Sequence, residues 1–192
     1  MSIEKLKNGN KIFVKNFNAN KNLYNDLVVN GQHPKILWVG CSDSRVVPEF
    51  IVNAKTGDLF VTRNIANIVP PKNRDESNSS SVLEYAVKHL EVKHIVICGH
   101  TGCGGITAMM NGVKENSNIS NWLDHAKPAK KNSIPETIKA NVLLQSENLL
   151  TFDYIEEKVT SGYIIIHKWL YDLKTGIIDY YDNEVERWIP LK

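Results

Sequence analysis

The chain has 192 residues, 42% of them hydrophobic, with 23 basic against 21 acidic side chains and three cysteines. That length supports one domain with a full core, and the near balance of charge supplies neither a basic face for nucleic acid nor an acidic tail for a basic partner, so the expected partner is a small molecule. No apolar run approaches the roughly 20 residues of a membrane span, the N-terminus lacks a signal-like apolar segment, and an odd cysteine count argues for thiols or metal ligands in a reducing, cytoplasmic compartment rather than for disulfides.

In chain order, residues 1–30 come first as a polar stretch in which Leu6, Phe13, Phe17, Leu23, Leu27 and Val28 are unevenly spaced. This predicts an N-terminal arm of one or two amphipathic helices that lies on something else. The core follows over residues 35–192. Strands are predicted at "KILWVGC" after Pro34, at "LFVTRN" after Gly57-Asp58, at "HIVICGH" from His94 and at "YIIIHKWLY" from Tyr163. Helices are predicted between them at "SSSVLEYAVKHL", which opens on serines able to cap, and at "PETIKANVLLQSENLL", which has proline in its first turn. The polar stretches "PKNRDESNSS" and "NGVKENSNIS" read as loops. Strands that alternate with helices imply right-handed crossovers, hence an α/β fold with a mostly parallel central sheet flanked by helices. About four strands are expected to be parallel, with "YDLKTGIIDYY" turning back to an antiparallel edge strand. No repeat or linker divides the chain, so residues 1–192 are expected to form a single domain.

In such a sheet, ligands bind beyond the carboxyl ends of the strands. "CSDSR" leaves the first strand there and "HTGCGG" leaves the third, which puts His100 in a loop and Cys103 near the start of the helix beginning around Gly105. A thiolate at a helix N-terminus is stabilised by the free N–H groups, and soft sulfur with imidazole selects zinc. Cys41, His100 and Cys103 therefore make a three-ligand set for one Zn2+ per chain, the number that leaves a fourth position open for catalysis. Cys98 lies inside its strand and reads as a core thiol. His33, His89 and His125 have surface-like surroundings, while His94 and His167 suit structural roles in strands.

"CSDSRVVPE", "GDLFVTRNIANIVPP", "EYAVKHL" and "HIVICGHTGCGG", in this order and separation, resemble the β-class carbonic anhydrases, as does "HKWLYDLKTG" nearer the C-terminus. The resemblance implies zinc on Cys41, His100 and Cys103, a catalytic pair of Asp43 and Arg45, and reversible hydration of carbon dioxide to bicarbonate. It also implies a homo-oligomer, a dimer or a dimer of dimers, with the arm clasping a neighbouring subunit. In one branch of the family a trio equivalent to Trp38, Arg63 and Tyr171 binds bicarbonate away from the zinc, although Arg63 also suits a structural clamp and Trp38 and Tyr171 suit a core. Thr101, Ala66 and Lys168 depart from common forms of the motifs, but no ligand is lost.

The chemistry agrees with these roles. Two thiolates cancel the charge of the dication and so acidify its water less than neutral ligands do. An aspartate that orients the nucleophile, itself held ionised by an arginine, would compensate. Other readings are a zinc hydrolase of carbonyl sulfide or carbon disulfide, and a non-catalytic, zinc-stabilised bicarbonate-binding module in which Asp43 closes the metal.

Overall fold

The computed structural model describes residues 2–74 and 77–191, so Asp75 and Glu76, in the first predicted loop, lie outside the described residues. Two compact units are distinguished, Met1–His33 and Pro34–Lys192. In the first, Ser2 accepts a hydrogen bond from Lys5 N–H at 3.3 Å and so caps α1 (Ile3–Ala19). Asn20 ends it, its N–H bonding the Asn16 and Phe17 carbonyls, and opens α2 (Lys21–Val29). Phe17 and Tyr24 stack between the two helices with ring centroids 4.1 Å apart, and Phe13 joins them edge-on. No residue of either helix is buried, and Ile3, Leu6, Ile12, Val14, Val28 and Val29 are exposed. These are the amphipathic helices the spacing predicts.

The second unit begins with β1 (Ile36–Cys41), α3 (Pro48–Ile51) and β2 (Leu59–Asn64). It continues through α4 (Ser77–Glu84), which runs into a π turn over Tyr85–His89, then β3 (His94–His100), α5 (Gly104–Asn111) and α6 (Asn118–Leu123). The last elements are α7 (Ile134–Leu149), α8 (Asp153–Thr160), β4 (Ile165–Tyr171), β5 (Ile178–Asp182) and β6 (Arg187–Pro190). Ser133 caps the α7 start: Glu136 N–H donates to Ser133 Oγ at 3.3 Å, and the Ser133 hydroxyl donates in turn to Glu136 Oε2 at 2.7 Å. Proline in the first turn completes it.

The six strands run in the order β2-β1-β3-β4-β5-β6. The first four are mutually parallel, β5 pairs antiparallel with β4 and β6 antiparallel with β5, so the edge carries one more antiparallel pairing than the sequence predicts. One further difference lies in "NGVKENSNIS", whose end is helical because Ser117 caps α6 by accepting from Ser120 N–H at 3.1 Å.

The two central parallel strands, β1 and β3, are buried almost from end to end rather than alternately, as expected where both faces are covered, whereas β2 and β4 are mostly half-buried. Leu37, Val39, Ile95 and Ile97 pack with Val142 and Leu149 of α7 and with Leu83, Ala86 and Val87. Trp38, Val96 and Cys98 face the other way, against Val52, Trp169 and Tyr171. Connections leave β1 toward β2 on one side and β3 toward β4 on the other. The crevice beyond the carboxyl ends of β1 and β3 is therefore the topological switch point, where a doubly wound sheet places its ligand.

Candidate metal centre

Cys41 is the last residue of β1 and His100 the last of β3, so the two meet at that crevice. Gly102, at φ 65°, turns the chain sharply, and Cys103 follows as the residue capping α5. The Cys41 and Cys103 sulfurs lie 4.0 Å apart, and one ligand atom from each of Cys41, His100 and Cys103 falls within 4.8 Å of the others. All three residues are buried.

His100 Nδ1 is 3.0 Å from the Thr101 carbonyl, which must accept a hydrogen bond, so Nδ1 carries the proton. Nε2 is then the lone-pair atom, and it is buried without a hydrogen-bond partner. A buried acceptor with nothing to accept, facing two sulfurs, fits a metal site. The thiols agree: the contact with Cys103 is the main cause holding Cys41 low, with burial opposing it. Cys103 is pushed up, chiefly by the same contact. Two thiolates with their sulfurs only 4.0 Å apart would repel each other, so a cation between them would be favoured.

Beside the cluster, Arg45 grips Asp43 with a two-toothed fork. Nε donates to Oδ1 at 2.9 Å, Nη2 to Oδ2 at 2.7 Å, and Arg45 N–H adds a third bond to Oδ1 at 3.0 Å. This fork is the main reason the Asp43 carboxyl sits well below the usual carboxylate range. Arg45 Nη2 also reaches the Gly102 carbonyl at 3.4 Å, tying the Asp43 loop to the Cys103 loop. Asp43 Oδ2 is 3.9 Å from His100 Nε2, at the edge of the cluster and not within it.

Residues 36–178 match the sequence model of a family described as carbonic anhydrase. The solved structure of the β-carbonic anhydrase CcaA superposes with a TM-score of 0.93 at 30% identity, covering 99% of this chain and 92% of that one. The chain belongs to the β-carbonic anhydrase family. A carbonic anhydrase of Pseudomonas aeruginosa is 36% identical over 83% of this chain and 79% of its own length, and one of Synechocystis is 31% identical over 90% and 68%. A tetrameric β-carbonic anhydrase of Sordaria macrospora superposes with a TM-score of 0.83 at 32% identity, covering 92% of this chain and 94% of that one. The protein is thus a carbonic anhydrase, a lyase.

Other residues singled out in the sequence fall around this β-carbonic anhydrase centre. Arg63, one residue before the end of β2, spends Nε on the Cys41 carbonyl at 2.8 Å and Nη2 on the Asp43 carbonyl at 2.6 Å, the geometry of a clamp. Gly40 pairs with Arg63 and Trp38 with Val61, while Cys98 pairs with Trp169, so Trp38, Arg63 and Tyr171 share one sheet face. Trp38 is buried, its Nε1 without a hydrogen-bond partner; a Cβ on Gly40 would lie 2.8 Å from that nitrogen, so glycine makes room for the indole. Cys98 is buried, its thiol donates to the Gly99 carbonyl at 3.4 Å, and burial pushes it up. His94 and His167 share a hydrogen bond of 3.1 Å on adjacent strands. His33 and His89 are exposed, but His125 is buried against Trp122, because the short α6 folds the segment back over the core.

The motifs do not signal the bond from Thr101 Oγ1 to Asp172 at 3.0 Å, nor the one from Leu173 N–H to Thr101 Oγ1 at 3.0 Å. Together they fasten the His100 loop to the end of β4. A threonine and an aspartate 71 positions apart carry no joint pattern that spacing could reveal.

Proposed function

We propose that Cys41, His100 and Cys103 hold one zinc ion per chain and that Asp43, held by Arg45, directs the nucleophile in reversible hydration of carbon dioxide to bicarbonate. The observation that carries this reading is the convergence of two sulfurs and an unpartnered imidazole nitrogen beside an Asp43–Arg45 fork. Zinc bound there would supply a water acidic enough to attack near neutral pH. The chain's residues supply the rest. Asp43 Oδ2 accepts the hydrogen bond of the attacking water and so points its lone pair at the carbon. The fork keeps both Asp43 oxygens as acceptors and draws the carboxylate away from the cluster. Arg63 secures the backbone on either side of Ser42 through the Cys41 and Asp43 carbonyls.

The names of the relatives favour carbon dioxide over carbonyl sulfide or carbon disulfide. A purely structural metal site would have no use for Arg45 holding Asp43 apart from it. The tetrameric Sordaria proteins and the exposed apolar side chains of α1 and α2 support a homo-oligomer, a dimer or dimer of dimers, with the arm on a neighbour. Three unpaired cysteines support a cytoplasmic location, and among the described residues no helix is long and apolar enough to cross a membrane. A separate bicarbonate site at Trp38, Arg63 and Tyr171 is favoured by the unpartnered Trp38 N–H and opposed by the clamp that occupies two Arg63 donors. Stopped-flow carbon dioxide hydration, with metal content measured on the same sample, tests the main reading. One zinc per chain with catalysis supports it, and a zinc-free, inactive protein overturns it.

A further inference from the structure

Two of the three metal-site residues, His100 and Cys103, stand on one short loop whose own backbone holds it poorly. Between them Gly102 sits at φ 65°, with nothing within 4 Å of where a Cβ would lie. The His100 ring nevertheless takes its orientation from this loop. Its Nδ1 donates to the carbonyl of the next residue, Thr101, at 3.0 Å, while Nε2 has no hydrogen-bond partner. A carbonyl followed by a left-handed glycine is free to swing unless it is fixed from its other side, so the direction of the Nδ1 bond depends on what holds Thr101.

That hold comes from the turn between β4 and β5, 71 positions away. Thr101 N–H donates to the Tyr171 carbonyl at 3.0 Å, one step beyond the His100–Tyr171 rung of the sheet. The Thr101 hydroxyl donates to Asp172 Oδ1 at 3.0 Å and accepts from Leu173 N–H at 3.0 Å. Asp172 is itself fixed on every side. Its carboxylate accepts from Lys174 N–H at 3.0 Å and from the Thr175 hydroxyl at 2.8 Å. Its backbone closes the turn through the Gly176 N–H and the Ile177 carbonyl, both at 2.8 Å. The sense of the chain is unique: a carboxylate only accepts, so the Thr101 hydroxyl gives its proton to Asp172 and keeps a lone pair for Leu173 N–H.

We propose that Thr101 and Asp172 are positioning residues of the metal centre, which fix the Thr101 carbonyl so that His100 keeps its proton on Nδ1 and presents Nε2 toward Cys41 and Cys103. The proposal rests on the reading of Cys41, His100 and Cys103 as a metal site and adds two residues outside the ligand set. A ligating imidazole needs its second nitrogen bonded, because that bond selects the tautomer and stops the ring from turning. Here the bond is made to a carbonyl whose own support lies on another strand. Asp172 therefore acts on the metal through Thr101 and His100, and the antiparallel edge of the sheet contributes to a site built at its parallel centre.

Thr101→Val keeps the shape of the side chain and deletes the hydroxyl, Asp172→Ala deletes its acceptor, and Thr101→Ser restores the oxygen. Thr175→Val is the control, since it removes a 2.8 Å bond from the same Asp172 carboxylate and loosens the same turn without touching Thr101. Zinc affinity is measured by chelator competition on each full-length protein. Exchange of the His100 Nδ1–H with solvent is followed by NMR on the zinc-loaded, 15N-labelled chain. Thr101→Val and Asp172→Ala should each lower affinity by roughly 10- to 100-fold and speed Nδ1–H exchange, and the double variant should be little worse than either single one. Thr101→Ser and Thr175→Val should keep parent affinity and exchange whatever their thermal stability. If Thr101→Val does not fold, Asp172→Ala, which leaves Thr101 in place, decides by the same readouts. Folded variants of Thr101 and Asp172 with the parent's affinity and Nδ1–H protection would overturn the proposal and leave the pair as a clasp of the turn. A parent chain that binds no zinc would instead overturn the metal-centre reading.

Discussion

Replacing Asp43 by asparagine tests the catalytic pair more sharply than removing it, because the fork around it is known atom by atom. Asparagine keeps an oxygen where Oδ1 accepts from Arg45 Nε at 2.9 Å and from Arg45 N–H at 3.0 Å. It sets an amide NH2 where Oδ2 meets Arg45 Nη2 at 2.7 Å, so donor faces donor and half the fork fails. The position that should accept from the attacking water then carries protons of its own. A loss of roughly 10²- to 10⁴-fold in turnover is expected, which is about 3 to 5 kcal/mol of barrier. Arg45→Ala should cost a similar factor by another route, since a released carboxylate whose Oδ2 already lies 3.9 Å from His100 Nε2 can swing onto the metal. Because each change disables the same unit, the double variant should be little worse than the poorer single one, whereas independent actions would multiply. The assay is stopped-flow hydration on samples matched for metal content. Parent turnover in either single variant, or a double variant that falls by the product of the two factors, would refute the pairing. The pH dependence should not originate in Asp43. The Arg45 fork holds it well below the usual carboxylate range, so its contribution to stability is present above its unfolded value and disappears only as strong acid passes through the depressed one.

The ligand assignment predicts that Cys103→Ser loses metal and activity together, while Cys98→Ser, buried in β3 away from the cluster, keeps both; metal analysis of the second variant is decisive, since loss there contradicts the assignment. Removing residues 1–25 should weaken self-association, read by light scattering over a concentration series, because α1 and α2 bury none of their residues within the chain. An unchanged oligomer after truncation would argue against the arm as a clasp. Trp38→Phe with Tyr171→Phe should relieve inhibition by bicarbonate and flatten the pH profile while leaving high-pH turnover nearly intact. Unaltered bicarbonate sensitivity would leave Arg63 as a clamp only.

What the sequence discloses here depends on how local each interaction is. Cys41, His100 and Cys103 were legible because they sit at strand ends and a helix start, and the alternation of strands and helices already implies that such ends converge. β6 was not, since Arg187–Pro190 is only four residues long, ends in proline and has no period of its own. His125 misleads because charged Asp124 and Lys127 stand close to it in the chain, and only the turn after α6 brings it inward. Between these cases stands "NIAN". Its left-handed pair, Ala66 and Asn67, contains no glycine to announce it, and the residues that hold it lie 75 to 79 positions away on α7. Asn141, Gln145 and Asn148 can be seen in the sequence to share a helix face, but amides at that spacing usually meet water. Burying them is tolerable only where their polar atoms find partners, and here the backbone of the strained segment supplies several of these. The polar face of α7 and the strained turn therefore account for one another, since each would be unfavourable if the other were absent.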